Sequence, residues 1–424
     1  MSPLSLPLCM THGYGWANLR LAVASPFIDR RHGTERALAE LLERLARKEH
    51  CEIHLYAQRV EGLALDQPGV THTQESGLII WHKVPSLPGP HLLQFLAWLF
   101  LNSIRRAWDR WVHGLRFDLV VSPGINCLDA DIVIVHALFH RLQELAHEED
   151  LDAAKPSLLR RLHRTAYYAL LTRLERGIYT NPKVTLAAVS QRTAALLSKY
   201  FHRQDVAVIP NGVDTAYFSP SARLARRELA RARRQFRQED FVLLLVGNDL
   251  NNKGLPAVLE AISVQLEIPA RLIIVGDDPT SASRELAQRL HVFDRCFWEP
   301  ATADILDAYA AADLYVSPSR EDSFGMPVAE AMACGLPVIT SVLAGISSLL
   351  HDGVDSLILR DPHDAKTLAT MIRALYQKAE WRTRMGQAAA RASLEWTWDR
   401  NAAAVWELLR DAAGRKLPSP ARRR

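Results

Sequence analysis

Apolar and polar positions along the chain fall into two alternating rhythms. Short, mainly apolar runs occur at 19–25 (LRLAVAS), 51–58 (CEIHLYAQ), 78–84 (LIIWHKV), 117–122 (FDLVVS) and 130–136 (ADIVIVH). Stretches of helical period lie between them, clearest at 35–50. Strands buried on both faces read as unbroken apolar runs, so the alternation predicts parallel sheets covered by helices. Runs at 185–190 and 206–210 end this series. The pattern restarts at 241–247, with a helix from Lys253, and continues through strands at 270–276, 313–319 and 336–341 and helices near 281–290 and 325–334. The fold class is therefore α/β: two successive Rossmann-like, doubly wound domains, 1–205 and 206–395, then a helix over 396–413 and a basic tail, 414–424. Ligands of such domains bind outside the carboxyl ends of the strands, in the crevice between the two halves.

Two helical segments break the rhythm. Residues 91–116 are apolar nearly all round at first, then mix Trp98, Trp108 and Trp111 with Arg105, Arg106 and Arg110. Residues 156–179 carry five arginines against one acid, Glu175. Trp, Tyr, Leu and Arg on one helix is a membrane-interface composition, so 91–111 and 156–179 are candidates for contact with an anionic membrane surface. A helix packed on the sheet with a solvated basic face is the other reading.

Composition narrows the class. Of 424 residues, 48% are hydrophobic and 23% charged, which excludes a disordered chain. The net charge of +4 is too small to indicate a nucleic-acid partner. It lies wholly in residues 1–205, with 24 basic and 20 acidic side chains, so the first half is the better candidate to face something anionic. Five scattered cysteines without a Cys-x-x-Cys pair argue against a disulfide framework or a structural zinc site, and for a reducing, cytoplasmic setting. No apolar stretch reaches the roughly 18–20 residues that span a bilayer. Residues 1–18 lack the basic and apolar regions of a signal peptide and read as a loose leader.

The densest chemistry lies at 317–341, SPSREDSFGMPVAEAMACGLPVITS. A strand ends at Ser319, a loop carries Arg320, Glu321, Asp322 and Ser323, and Phe324-Gly325 turns into a helix bearing Glu330. That helix N-terminus, with free N–H groups and a positive dipole, suits a phosphate. One carboxylate on the loop and one on the helix can grip the two ends of a sugar nucleotide. Elsewhere, 209–220 is IPNGVDTAYFSP, 246–262 is VGNDLNNKGLPAVLEAI, 274–279 is IVGDDP and 30–41 is RRHGTERALAEL. His136 closes the strand 130–136. His136, His140 and Glu144 have helical metal-ligand spacing, but His136 ends a strand and does not share the helical face, so no metal site is assigned.

These stretches together resemble retaining glycosyltransferases of family 4, glycosyl transferases group 1, over nearly the whole chain. Residues 317–341 are similar to that family's P-S-x-x-E-x-F-G and E-A-M-A-x-G-x-P-V signature. The resemblance implies a GT-B fold, with two facing Rossmann-like domains and a C-terminal helix crossing back to the first. It implies transfer of a sugar from a nucleoside diphosphate sugar with retention, without a metal or other cofactor. Glu330 matches the helix glutamate expected at the ribose. The sugar-contacting carboxylate falls on Asp322, with Glu321 beside it, and either takes that role. Gly325 and Met326 would give backbone N–H groups to the diphosphate; Pro327 has none. Lys253 falls on a diphosphate-contacting lysine. A family arginine is replaced by Asn248, so Lys253 acts alone or Arg320 substitutes. Ser323 and Phe324 lie within the donor loop, Asp277 falls near the base, Gly33 on a loop approaching donor phosphate and acceptor, and His136 on a histidine that bonds the transferred sugar.

The character is nearest to lipopolysaccharide-core glucosyltransferases, which implies a UDP-hexose donor, a cell-envelope glycan or lipid acceptor, and a cytoplasmic protein at the inner face of the membrane. A GT-B phosphorylase would need a lysine-bound pyridoxal phosphate. A sugar-nucleotide epimerase and a non-catalytic nucleotide-sugar binding protein share the architecture and stand as alternatives. A Rossmann dehydrogenase is disfavoured because no G-x-G-x-x-G follows the first strand.

Overall fold

A computed structural model describes residues 19–30, 32–66, 77–152, 158–265, 267–302 and 304–416, without side chains for 148–152 and 158–163. The leader 1–18 and the end of the tail, 417–424, lie outside these. The first lobe contains β1 (Arg20–Ala24), β2 (Phe27–Ile28), α1 (Gly33–Glu49), β3 (Glu52–Ala57), β4 (Arg59–Val60), β5 (Leu78–Lys83), α2 (His91–Val112), β6 (Leu119–Pro123), β7 (Ile132–Val135), α3 (Phe139–Asp152), α4 (Leu158–Tyr179), β8 (Thr185–Ala188), α5 (Gln191–Phe201) and β9 (Val206–Val208). The second contains α6 (Pro220–Arg233), β10 (Phe241–Val246), α7 (Leu255–Ser263), β11 (Ala270–Val275), α8 (Ser281–Arg289), β12 (Cys296–Glu299), α9 (Leu306–Ala311), β13 (Leu314–Ser317), α10 (Met326–Ala333), β14 (Val338–Ser341), β15 (Leu357–Leu359), α11 (Ala365–Gln377) and α12 (Ala379–Ser393).

Among the described residues the first lobe's main sheet has seven strands, ordered β5-β3-β1-β6-β7-β8-β9, and the second has six, β12-β11-β10-β13-β14-β15. Every pairing in both is parallel. Parallel strands need covered faces, and the apolar runs supply them: β6, β7, β13 and β14 are buried along their whole length. Strand order reverses between β1 and β6, and again between β10 and β13. At such switch points the loops part and leave a crevice at the carboxyl edge. The two crevices face each other.

The first sheet includes Val206–Val208, so its last strand lies beyond the expected division at 205. The chain crosses back through α13 (Trp398–Lys416), which runs three residues into the stretch expected as a tail. Its buried face, including Trp398, Ala402, Val405 and Leu409, joins the core containing the α1 apolar residues. Asp399 meets Arg44 at 2.9 Å and Lys48 at 2.6 Å, and Lys416 meets Asp131 at 2.8 Å. Trp396 O accepts from Val213 N at 2.7 Å, binding the crossing chain to the interlobe segment.

Helix α2 is amphipathic in the reverse sense over its second half. Its buried face carries Asn102, Arg106 and Asp109, while Phe100 (66% exposed), Ile104, Trp108, Trp111 (85%) and Val112 face outward. The inward charges are all satisfied. Arg106 makes a bidentate pair with Asp129 at 2.8 and 2.6 Å, and Asp109 accepts from Tyr56 OH at 3.0 Å and pairs with His82 at 2.9 Å. A polar interior and an apolar exterior invert the usual arrangement of a surface helix. In the second basic helix, α4, the outward positions described include Ala166, Ala169, Arg173 and Arg176, and no comparable apolar stripe forms among the described side chains, 164–179.

Candidate active site between the lobes

The loops at the carboxyl edges of β1, β7, β10, β11 and β13 enclose a cleft of about 820 Å³. From the first lobe, Gly33, Arg36 and His136 line it; from the second, Lys253, Asp277, Asp322, Ser323, Phe324, Gly325, Met326 and Glu330 do. Helices α1 and α10 both start at this cleft. Gly33, the first residue of α1, lies so close to α10 that a Cβ on it would sit 3.7 Å from Met326 Sδ. Two N-termini with unspent N–H groups and positive dipole ends therefore share one space, which suits an anion. Gly325 caps α10 with φ +99°, a backbone conformation that a side chain would strain. It lets the chain leave the loop and enter the helix within one residue.

Glu330 is buried, and its carboxylate is held from both sides. Arg36 of the first lobe pairs with it, and Tyr309 OH donates to it at 2.8 Å. Burial disfavours the Arg36 cation, but Glu330, with Tyr309 nearby, more than offsets this and raises its pKa. Burial, reinforced by the Glu330 charge, holds the Tyr309 phenol well above its usual value, so it stays a donor. Lys253 pairs with Asp322 across the floor of the cleft. Gly254, the α7 N-cap with φ +79°, lets the Lys253 loop approach β13: a Cβ there would lie 2.3 Å from Pro318 O. Asp277 is anchored by Ala301 N, which donates to it at 2.8 Å.

His136 Nδ1 is buried and makes no hydrogen bond. Burial lowers the ring's pKa from 6.5 to about 4, a backbone hydrogen bond at Ile134 opposing, so the ring is neutral at ordinary pH. His140 takes no part in the cleft; its Nδ1 meets Glu175 at 2.7 Å.

Two expected site residues are placed elsewhere. Glu321 does not line the cleft: its carboxylate turns to Arg141 and Arg192 of the first lobe. Successive residues of an extended loop point to opposite sides, so only Asp322 of the adjacent acids reaches the cavity. Arg320 is likewise absent from the cleft lining; its backbone N donates to Asn252 O at 2.7 Å. Sequence reasoning gave no part to Tyr309, Asn252, Arg141 or Arg192. Arg36 lies within the stretch 30–41, but its pairing with Glu330 was not visible because the two are 294 positions apart.

Known proteins share this architecture. Residues 226–392 match the family Glycosyl transferases group 1, and residues 31–217 match Glycosyltransferase Family 4. The D-inositol 3-phosphate glycosyltransferase of Pseudarthrobacter chlorophenolicus is 33% identical over 381 residues, taking in 83% of this chain and 84% of that protein. The chain belongs to the family 4, group 1 glycosyltransferases. WaaG, a glycosyltransferase involved in lipopolysaccharide biosynthesis, aligns with this family 4 member at a TM-score of 0.72 and 20% identity, over 94% of this chain and 100% of WaaG. Anabaena HepE in complex with UDP-glucose aligns at a TM-score of 0.68 and 17% identity, over 93% and 100% of the two chains. At such identities the likeness concerns the fold, and the fold of this family 4 glycosyltransferase is GT-B.

Proposed function

We propose that the enzyme transfers a hexose, with retention, from UDP-hexose to a hydroxyl of a cell-envelope glycan or lipid. The main support is the cleft itself: Lys253, Asp322, Glu330 and two helix N-termini surround one cavity between the lobes. The β-phosphate sits against Lys253 and the Gly325 and Met326 amides. Charge on the departing diphosphate grows in the transition state, so these preorganised groups act where the charge develops. Glu330 takes the ribose hydroxyls once Arg36 releases its carboxylate. Asp322 contacts the sugar, and neutral His136 approaches the same sugar from the first lobe. Ser323, Phe324 and Gly33 shape the pocket walls, and Asp277 lies toward the base. No divalent ion is needed for these roles, and chelation should leave turnover intact.

The inverted face of α2 supports a peripheral position on the cytoplasmic side of an anionic membrane. Exposed apolar patches of this kind mark interaction surfaces, and Trp and Phe flanked by Arg105 and Arg110 suit the lipid headgroup region. Among the described residues no helix is long and apolar enough to cross a membrane. A thermal-shift screen of UDP-, GDP- and ADP-sugars tests the donor. UDP-sugars are expected to raise the melting temperature most, with transfer products following for an envelope-type acceptor. Stabilisation by none of them would overturn the proposal.

A further inference from the structure

We infer that Glu321 is a positioning residue whose carboxylate latches the two lobes together and thereby sets Asp322 and Lys253 in the cleft. This rests on the cleft being the site of sugar transfer. Glu321 Oε1 accepts from Arg192 Nε at 2.9 Å, and its Oε2 accepts from Arg192 Nη2 at 2.6 Å and Arg141 Nε at 2.9 Å. Arg192 stands in the first turn of α5 and Arg141 in α3, both in the first lobe, while Glu321 belongs to the β13–α10 loop of the second. The planar guanidinium fork fixes direction as well as distance, so the pair orients one lobe on the other. All three side chains are largely covered, at 12–22% exposure.

The latch connects to the donor groups through adjacent residues. Asn252 clamps the Glu321 backbone from the other side, donating to Glu321 O at 2.8 Å and accepting from Glu321 N at 2.9 Å. The next residue of each strand of this contact, Lys253 and Asp322, forms the ion pair at the cleft floor. The seam beside it is tight: a Cβ on Gly345 would lie 2.0 Å from Ser323 O and 2.6 Å from Ser190 Oγ of the first lobe. Separating the lobes would expose two guanidinium groups and one carboxylate to water and loosen the loop that carries Asp322.

The test compares Glu321→Ala, Arg192→Ala and Glu321→Asp with wild type by small-angle scattering without ligand and by the ratio of transfer to donor hydrolysis. The alanine variants should scatter as more extended particles. Their transfer-to-hydrolysis ratio should fall roughly tenfold as an open cleft admits water. Glu321→Asp should recover most of both. Wild-type scattering, or equal losses of transfer and hydrolysis at an unchanged ratio, would overturn the latch. If wild type turns over no nucleotide sugar, the transfer proposal fails, and scattering still decides the latch.

Discussion

Lys253 in the cleft is already neutralised by Asp322, so its value to a ligand is the difference between a carboxylate and a diphosphate. Lys253→Ala should weaken donor binding by roughly 1.5–3 kcal/mol, the range for a lost charged hydrogen bond. Calorimetric titration with the donor checks this, and unchanged affinity would remove Lys253 from the site. His136 carries a separate expectation. Its pKa of about 4 in the folded protein lies below the usual 6.5, so folding favours the neutral ring. That contribution to stability is whole above pH 6.5 and is lost as pH falls toward 4, because the unfolded chain takes up the proton first. His136→Gln should flatten the melting-temperature profile between those values. A profile parallel to wild type would show that the ring does not feel its burial. Lys253, Asp322 and Glu330 were legible in the sequence because one loop-to-helix signature carries two of them and a lysine-glycine turn the third. The orientation of Glu321 was not legible. Two adjacent acids look alike until their loop acquires a direction, and that direction is set by arginines 180 and 129 positions away.

At the scale of elements, strands were the easiest to read. The run 241–246 is apolar throughout because both faces are covered, and 270–275 departs from that only at Arg271. The edge strands β12 and β15 escaped, both being short, with a charged Glu299 at the end of β12. Helix α2 shows a different limit. Its tryptophans and arginines were visible, but not which of them faced inward. Only the partners of Arg106 and Asp109 show that the polar side is the buried one. Replacing Phe100, Trp108 and Trp111 together by Ser should abolish sedimentation with anionic vesicles, leave neutral vesicles unaffected, and preserve turnover on a water-soluble acceptor. Because the three side chains are exposed, the melting temperature should move little. Wild-type binding should also fall with salt as the arginines are screened. Retained binding in the variant, or loss of a wild-type dimer without any effect of lipid, would assign the face to something other than a membrane.

At the scale of the whole molecule, the sequence showed two lobes and a returning helix, since a doubly wound pattern that stops and restarts leaves few other arrangements. What it could not show was how closely the lobes engage. Among the described residues, each Lys or Arg lining the cleft is already matched: Arg30 with Glu40 and Glu43, Arg36 with Glu330, and Lys253 with Asp322. An incoming anion meets cations that each already hold a carboxylate, and a carboxylate displaced from one of them then needs a hydroxyl to receive. Free phosphate brings the negative charge without the hydroxyls, and a free sugar brings the hydroxyls without the charge. The cleft thus behaves as a coincidence lock, best suited to a molecule that carries both keys on one frame.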